Sequence, residues 1–95
     1  YITVAGRSNG LSGVTAGSAL HPVIACPPFS DRSDYLTNIH SSLQMPKDTP
    51  VLTVVDPANA ALSAARILAL VHEDLKLKIR SHIDGVKRTY ATVSD

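Results

Sequence analysis

Apolar positions cluster in three short runs, Tyr1 to Ala5, Pro22 to Cys26 and Pro50 to Val55, each rich in β-branched side chains and bounded by Gly, Pro, Asn or Asp. They read as strands. None shows the alternation of a half-exposed strand, so all three are expected to be buried on both faces, as in a parallel sheet with helices on each side. Leu11 to Leu20, rich in Ala, Gly and Ser and opened by Asn9-Gly10, predicts a short helix between the first two strands. Asp31 to Leu43 predicts a second helix, with Asp31 or Ser33 as N-cap and Tyr35, Leu36, Ile39 and Leu43 at helical spacing. The order is therefore β-α-β-α-β, and right-handed crossovers of that kind build an α/β layer structure.

After the third strand, Asp56-Pro57 predicts a helix start. The Asp side chain can accept from the first free amides, and Pro at the first helical position has no amide to leave unpaired. The helix is expected to run from Ala58 to about His72. It is apolar nearly all round (Ala61, Leu62, Ala64, Ala65, Ile67, Leu68, Leu70, Val71), so one sheet face cannot cover it, and another subunit is expected to bury the remainder. From Glu73 the chain turns amphipathic, with Leu75, Ile79, Ile83, Val86 and Tyr90 on one stripe and Asp74/Lys78 and Asp84/Arg88 spaced for i,i+4 ion pairing. Residues 73–95 are expected to form a helical packing arm, weakened by about 1 kcal/mol at Gly85.

Composition narrows the function classes. The 95 residues suffice for one small domain or part of a larger one, and 44% hydrophobic residues is ordinary for a globular chain. The net charge is +1 and the nine basic residues are interspersed with acidic ones, so no nucleic-acid footprint is present. A single cysteine, Cys26, excludes an internal disulfide and fits a reducing, cytoplasmic setting. No run approaches the roughly 20 apolar residues that span a bilayer, and no signal-peptide pattern opens the chain, so no membrane partner is expected. The chain opens without methionine and inside a strand-like run, and is expected to be a fragment whose natural start lies upstream.

The chemistry concentrates in Ala5-Gly6-Arg7-Ser8-Asn9-Gly10-Leu11, which directly follows the first strand. Ligands of open α/β sheets bind outside the carboxyl ends of the strands. Gly6 permits close backbone approach, the amides around Ser8 to Leu11 can cradle an anion, and Arg7 and Ser8 add a charged fork and a hydroxyl. Ser-Asn-Gly is also an ordinary turn, and spacing alone does not separate the two readings.

That loop, followed in order by Pro22-Val23-Ile24-Ala25-Cys26-Pro27-Pro28, Ser41-Ser42-Leu43-Gln44-Met45-Pro46 and Ala64-Ala65-Arg66-Ile67-Leu68-Ala69-Leu70, resembles the second half of the aminoimidazole ribotide (AIR) carboxylase family. The Arg-Ser-Asn-Gly loop is similar to the carboxylase branch found in animals and some microbes. The N-carboxy-AIR mutase branch usually has Gly-Gly-Ala-Ala-His there, and Gly10 stands where the mutases carry that histidine.

The resemblance implies a three-layer α/β/α flavodoxin-like parallel sheet of strand order 2-1-3-4-5, of which only the last three strands and their following helices are present here. It implies AIR and carbon dioxide as substrates, carboxyaminoimidazole ribotide as product, carboxy-lyase chemistry, and neither metal nor organic cofactor. A homo-oligomer, octamer or tetramer, is expected, and the animal type allows fusion to a SAICAR synthetase domain. Ser8 would be catalytic, and Gly6, Arg7, Ser8, Asn9, Gly10 and Leu11 would bind substrate. Ser41 and Ser42 resemble a segment that approaches a neighbouring subunit's pocket, although helix-end capping explains them equally well. In this family a Gly-Ser-x-Ser-Asp phosphate loop and a Ser-Ala-His segment complete the site; neither motif occurs in this sequence, so the chain alone is expected to be inactive.

Three rival readings remain at this level: an N-carboxy-AIR mutase, a truncated domain serving only assembly, and an unrelated α/β ligand-binding module. His21, His40, His72 and His82 are scattered without ligand spacing and read as surface or core histidines rather than a metal site. Cys26 reads as a buried structural thiol, Asp56 as a cap in preference to a general base, and Met45 as a gap filler.

Overall fold

A computed structural model describes residues 1–4, 15–28 and 32–94. Within them lie strand β1 (Ile2–Thr3), helical residues 15–18 (α1), strand β2 (Ile24–Ala25), helix α2 (Arg32–Leu43), strand β3 (Leu52–Thr53), and helices α3 (Pro57–Leu68) and α4 (Glu73–Ser94). The chain divides into two compact units, Tyr1–Ala64 and Ala65–Asp95.

In the first unit the strands form a parallel sheet in the order β1-β2-β3, with Ile2, Ile24 and Leu52 in one row and Thr3, Ala25 and Thr53 in the next. Ile24 N–H donates to Tyr1 O and Cys26 N–H to Thr3 O, both at 2.8 Å. Leu52 N–H donates to Val23 O and Val54 N–H to Ala25 O, both at 2.9 Å. The α/β architecture and parallel pairing expected from the apolar runs are therefore present.

Burial is less even than the runs predict. Val23 to Pro27 are all buried, and Ile24 retains only 2% exposure. Burying a side chain of that size stabilises the fold by about 1.5–3 kcal/mol. The flanking strands differ: Ile2 is 44% and Leu52 54% exposed, while Thr3, one row further, is buried. Among the described residues of this chain, only the central strand is covered on both faces. Thr53 Oγ1 is buried on β3 without a hydrogen-bond partner among the described residues.

The helices depart from expectation at their ends. Residues 11–14 and 31 lie outside the described set, and so does the cap assigned to Asp31. Helix α1 ends at residue 18, with Ala19 N–H donating to Thr15 O at 2.8 Å, and Leu20 is left exposed. Pro22 keeps His21 out of the helical region, so the helix could not have run on into β2. In α2, Arg32 is already helical, which places Ser33 inside the first turn rather than at the cap. Leu36 and Leu43 are exposed, Ile39 is half-buried, and Ser42 is buried at 2% exposure. The inward face of α2 therefore runs through Ser42, where a small side chain permits close packing, and misses the leucine stripe.

The loop from α2 to β3 turns at Pro46 to Thr49. Thr49 N–H donates to Pro46 O at 3.3 Å, and the Thr49 hydroxyl donates to the same carbonyl. Asp48 takes the left-handed conformation, φ 67°, that the third residue of such a turn can require. Asp tolerates this region better than most L residues.

Helix α3 begins as predicted at Asp56-Pro57 but ends at Leu68, before the expected His72. Leu70 N–H bonds to Ile67 O and Val71 N–H to Leu68 O, both at 3.2 Å, tightening the chain into a turn. Helix α4 then starts with Lys76 N–H donating to His72 O at 3.1 Å. Glu73 and Asp74 sit in its first turn, where the helix dipole favours negative charge. No Gly or Pro marks this break, so the apolar run across it reads as one helix. Along α4, Leu75, Ile79 and Ile83 are half-buried, while Val86 and Tyr90 are exposed, so the predicted stripe is covered only in its first half.

Candidate functional site

Because all three strands are parallel, their carboxyl ends define one edge of the sheet, and that edge is where such sheets bind ligands. The three strand ends are held level. Cys26 N–H bonds back to Thr3 O of β1, and the Cys26 thiol donates to Val55 O beyond β3 at 3.5 Å. Cys26 is a buried free cysteine, as its apolar setting predicts. The thiol tie to Val55 was not legible in the sequence, since a lone cysteine names no partner.

At the end of β3, the Asp56 carboxylate accepts the Asn59 N–H at 2.9 Å, and Asp56 O accepts the Ala60 N–H at 2.9 Å. Pro57 occupies the first helical position. This is the N-cap arrangement the sequence predicts. It brings the N-terminus of α3 to the ligand edge while the Asp56 side chain already occupies one of its free amides.

From β1 the chain leaves the same edge at Val4, directly before the predicted loop. Gly6, Arg7, Ser8, Asn9, Gly10 and Leu11 all lie outside the described residues, so the structure fixes where the loop departs. Ser41 and Ser42 are described. They occupy the last turn of α2, with Gln44 N–H bonding to His40 O at 3.1 Å just beyond. Ser42 is buried and Ser41 half-buried. A crossover helix returns the chain to the amino end of the next strand. The last turn of α2 therefore lies toward the sheet end opposite Val4, and this chain does not bring the two serines to its own ligand edge.

A hollow of about 460 Å³ is found at that opposite end, walled by Ala16, Leu20, Pro22, Val23, Pro50 and Leu52. Its lining is apolar apart from His21 at the rim, and it lacks the convergent polar groups of a small-molecule site. His21, His40, His72 and His82 are all exposed, and among the described residues no three His, Cys, Asp or Glu side chains gather to hold a metal. The His21 ring lies 6.4 Å from that of Tyr1, in a tilted arrangement.

Parallel strands joined by crossover helices, with a helix N-terminus at the carboxyl edge of the sheet and the sequence Gly6-Arg7-Ser8-Asn9-Gly10 following β1 along the chain, define an α/β ligand-binding or catalytic domain. The family profile of AIR carboxylase matches residues 1–89, and the chain belongs to that family. It is 45% identical over 85 residues to the phosphoribosylaminoimidazole carboxylase of Treponema denticola, covering 90% of this chain and 53% of that protein. It is 48% identical over 93 residues to the bifunctional phosphoribosylaminoimidazole carboxylase/phosphoribosylaminoimidazole succinocarboxamide synthetase of Drosophila melanogaster, covering 21% of it. The crystal structure of Treponema denticola PurE, a flavodoxin-like fold, superposes with a TM-score of 0.90 at 40% identity, over 97% of this chain and 58% of that one. The chain thus spans about half the length of its single-function carboxylase relatives.

Proposed function

We propose that the protein carrying this chain is a phosphoribosylaminoimidazole carboxylase of purine biosynthesis, a carboxy-lyase joining AIR and carbon dioxide to give carboxyaminoimidazole ribotide. The observation that carries this reading is the sequence Gly6-Arg7-Ser8-Asn9-Gly10, which follows β1 along a chain of the AIR carboxylase family. The reaction needs the nucleophilic ring carbon of AIR held against carbon dioxide, with the growing carboxylate charge met by preorganised donors. Ser8 and the amides of Asn9, Gly10 and Leu11 supply such donors, Gly6 leaves room for the ligand, and Arg7 contributes charge or loop position. The proton lost from the ring carbon passes to a histidine of the Ser-Ala-His segment, which this sequence does not contain. In this reading residues 1–95 are the second half of the catalytic domain, inactive alone, and residues 73–95 are a packing arm.

The protein is further proposed to work in the cytoplasm as a homo-oligomer, with Ser41 reaching a neighbouring subunit's pocket and Ser42 packing within its own chain. No helix among the described residues is long and apolar enough to cross a membrane. Fusion to a SAICAR synthetase domain has a precedent in the bifunctional relative of Drosophila melanogaster.

The test is turnover of the full-length protein with AIR plus bicarbonate, against N-carboxy-AIR, for wild type and Ser8→Ala. Use of AIR and carbon dioxide is expected, with turnover falling by about 10²-fold in Ser8→Ala, the usual cost of one lost charge-stabilising donor. Assembly, followed by sedimentation, should not change. Wild-type turnover in Ser8→Ala removes Ser8 from the site. Exclusive use of N-carboxy-AIR replaces the carboxylase with a mutase, the second reading, against which Gly10 stands in the place of the mutase histidine.

A further inference from the structure

We draw no further inference here: the strongest candidate, the exposed apolar side chains Leu68, Leu70 and Val71 at the turn between α3 and α4, carries nothing because no contact in the structure shows what covers them, and a second copy of the chain is already part of the proposed function.

Discussion

Asp56 stands at the ligand edge of the sheet, where a carboxylate could remove a proton, yet its Oδ2 accepts the Asn59 N–H at 2.9 Å and so caps α3. The two roles separate by substitution. Asp56→Ala deletes the cap and should destabilise the protein by about 0.5–2 kcal/mol. Asp56→Asn keeps an oxygen of the same reach, and Asn caps about as well as Asp, so the loss is confined to the charge–dipole share of about 0.3–1 kcal/mol. Asp56 is exposed, so screening by solvent puts that share at the lower end. The expected stability order is wild type, then Asn close behind, then Ala. In a domain of about 150–250 residues each kcal/mol moves the Tm by roughly 2–4 °C. Urea unfolding of the full-length protein at one fixed concentration measures the stabilities, and the proposed AIR carboxylation, assayed well below the transition, measures activity. Both variants should keep carboxylation within a few-fold of wild type. If Asp56→Asn loses activity by orders of magnitude while remaining stable, Asp56 is a proton acceptor and the capping argument fails; if Asp56→Ala is as stable as wild type, the 2.9 Å bond contributes nothing.

Other substitutions test the packing. Thr53→Val should leave stability unchanged or raise it by about 1 kcal/mol in chemical unfolding, because the buried Thr53 hydroxyl has no partner to lose among the described residues; a clear loss would reveal one. Gly85→Ala should stabilise α4 by about 1 kcal/mol, since an added Cβ meets only the flexible Arg88 guanidinium end at 4.0 Å, and an unchanged midpoint would count against α4 being helical at that position in solution. Asp48→Val should cost about 1–2 kcal/mol against a near-neutral Asp48→Asn, the φ of 67° being the cause; equal stabilities would mean the turn relaxes. Ile24→Ala should cost about 2–5 kcal/mol as a deletion in the buried central strand, with a smaller loss for Leu52→Ala at the half-exposed edge.

The features legible in the sequence were those with local causes. Parallel strand order followed from apolar runs separated by helical segments, and the start of α3 followed from one dipeptide whose side chains act within four residues. The features that escaped depend on what lies across space. Nothing in Ala64 to Val71 distinguishes a helix that stops at Leu68 from one that continues, because the bonds closing the turn are backbone bonds available to any sequence. Ser42 is buried while Leu43 is exposed, because which face of α2 turns inward is set by what packs against it and not by its own apolar spacing. For the candidate loop, the family resemblance supplied the roles, and the structure supplies its point of departure at Val4.

The register of the sheet also carries a kinetic consequence. Ile2 meets Ile24, and Ile24 meets Leu52, so each strand finds its neighbour more than twenty residues away in sequence and no hairpin can form first. Long loops must close before any ladder bond forms, which makes such pairings slow to assemble and leaves unpaired edges exposed meanwhile. On the ribosome, the central strand would emerge with its later partner still unsynthesised. Val23 to Cys26, the most completely buried segment among the described residues, is then the stretch most in need of protection from aggregation until β3 arrives.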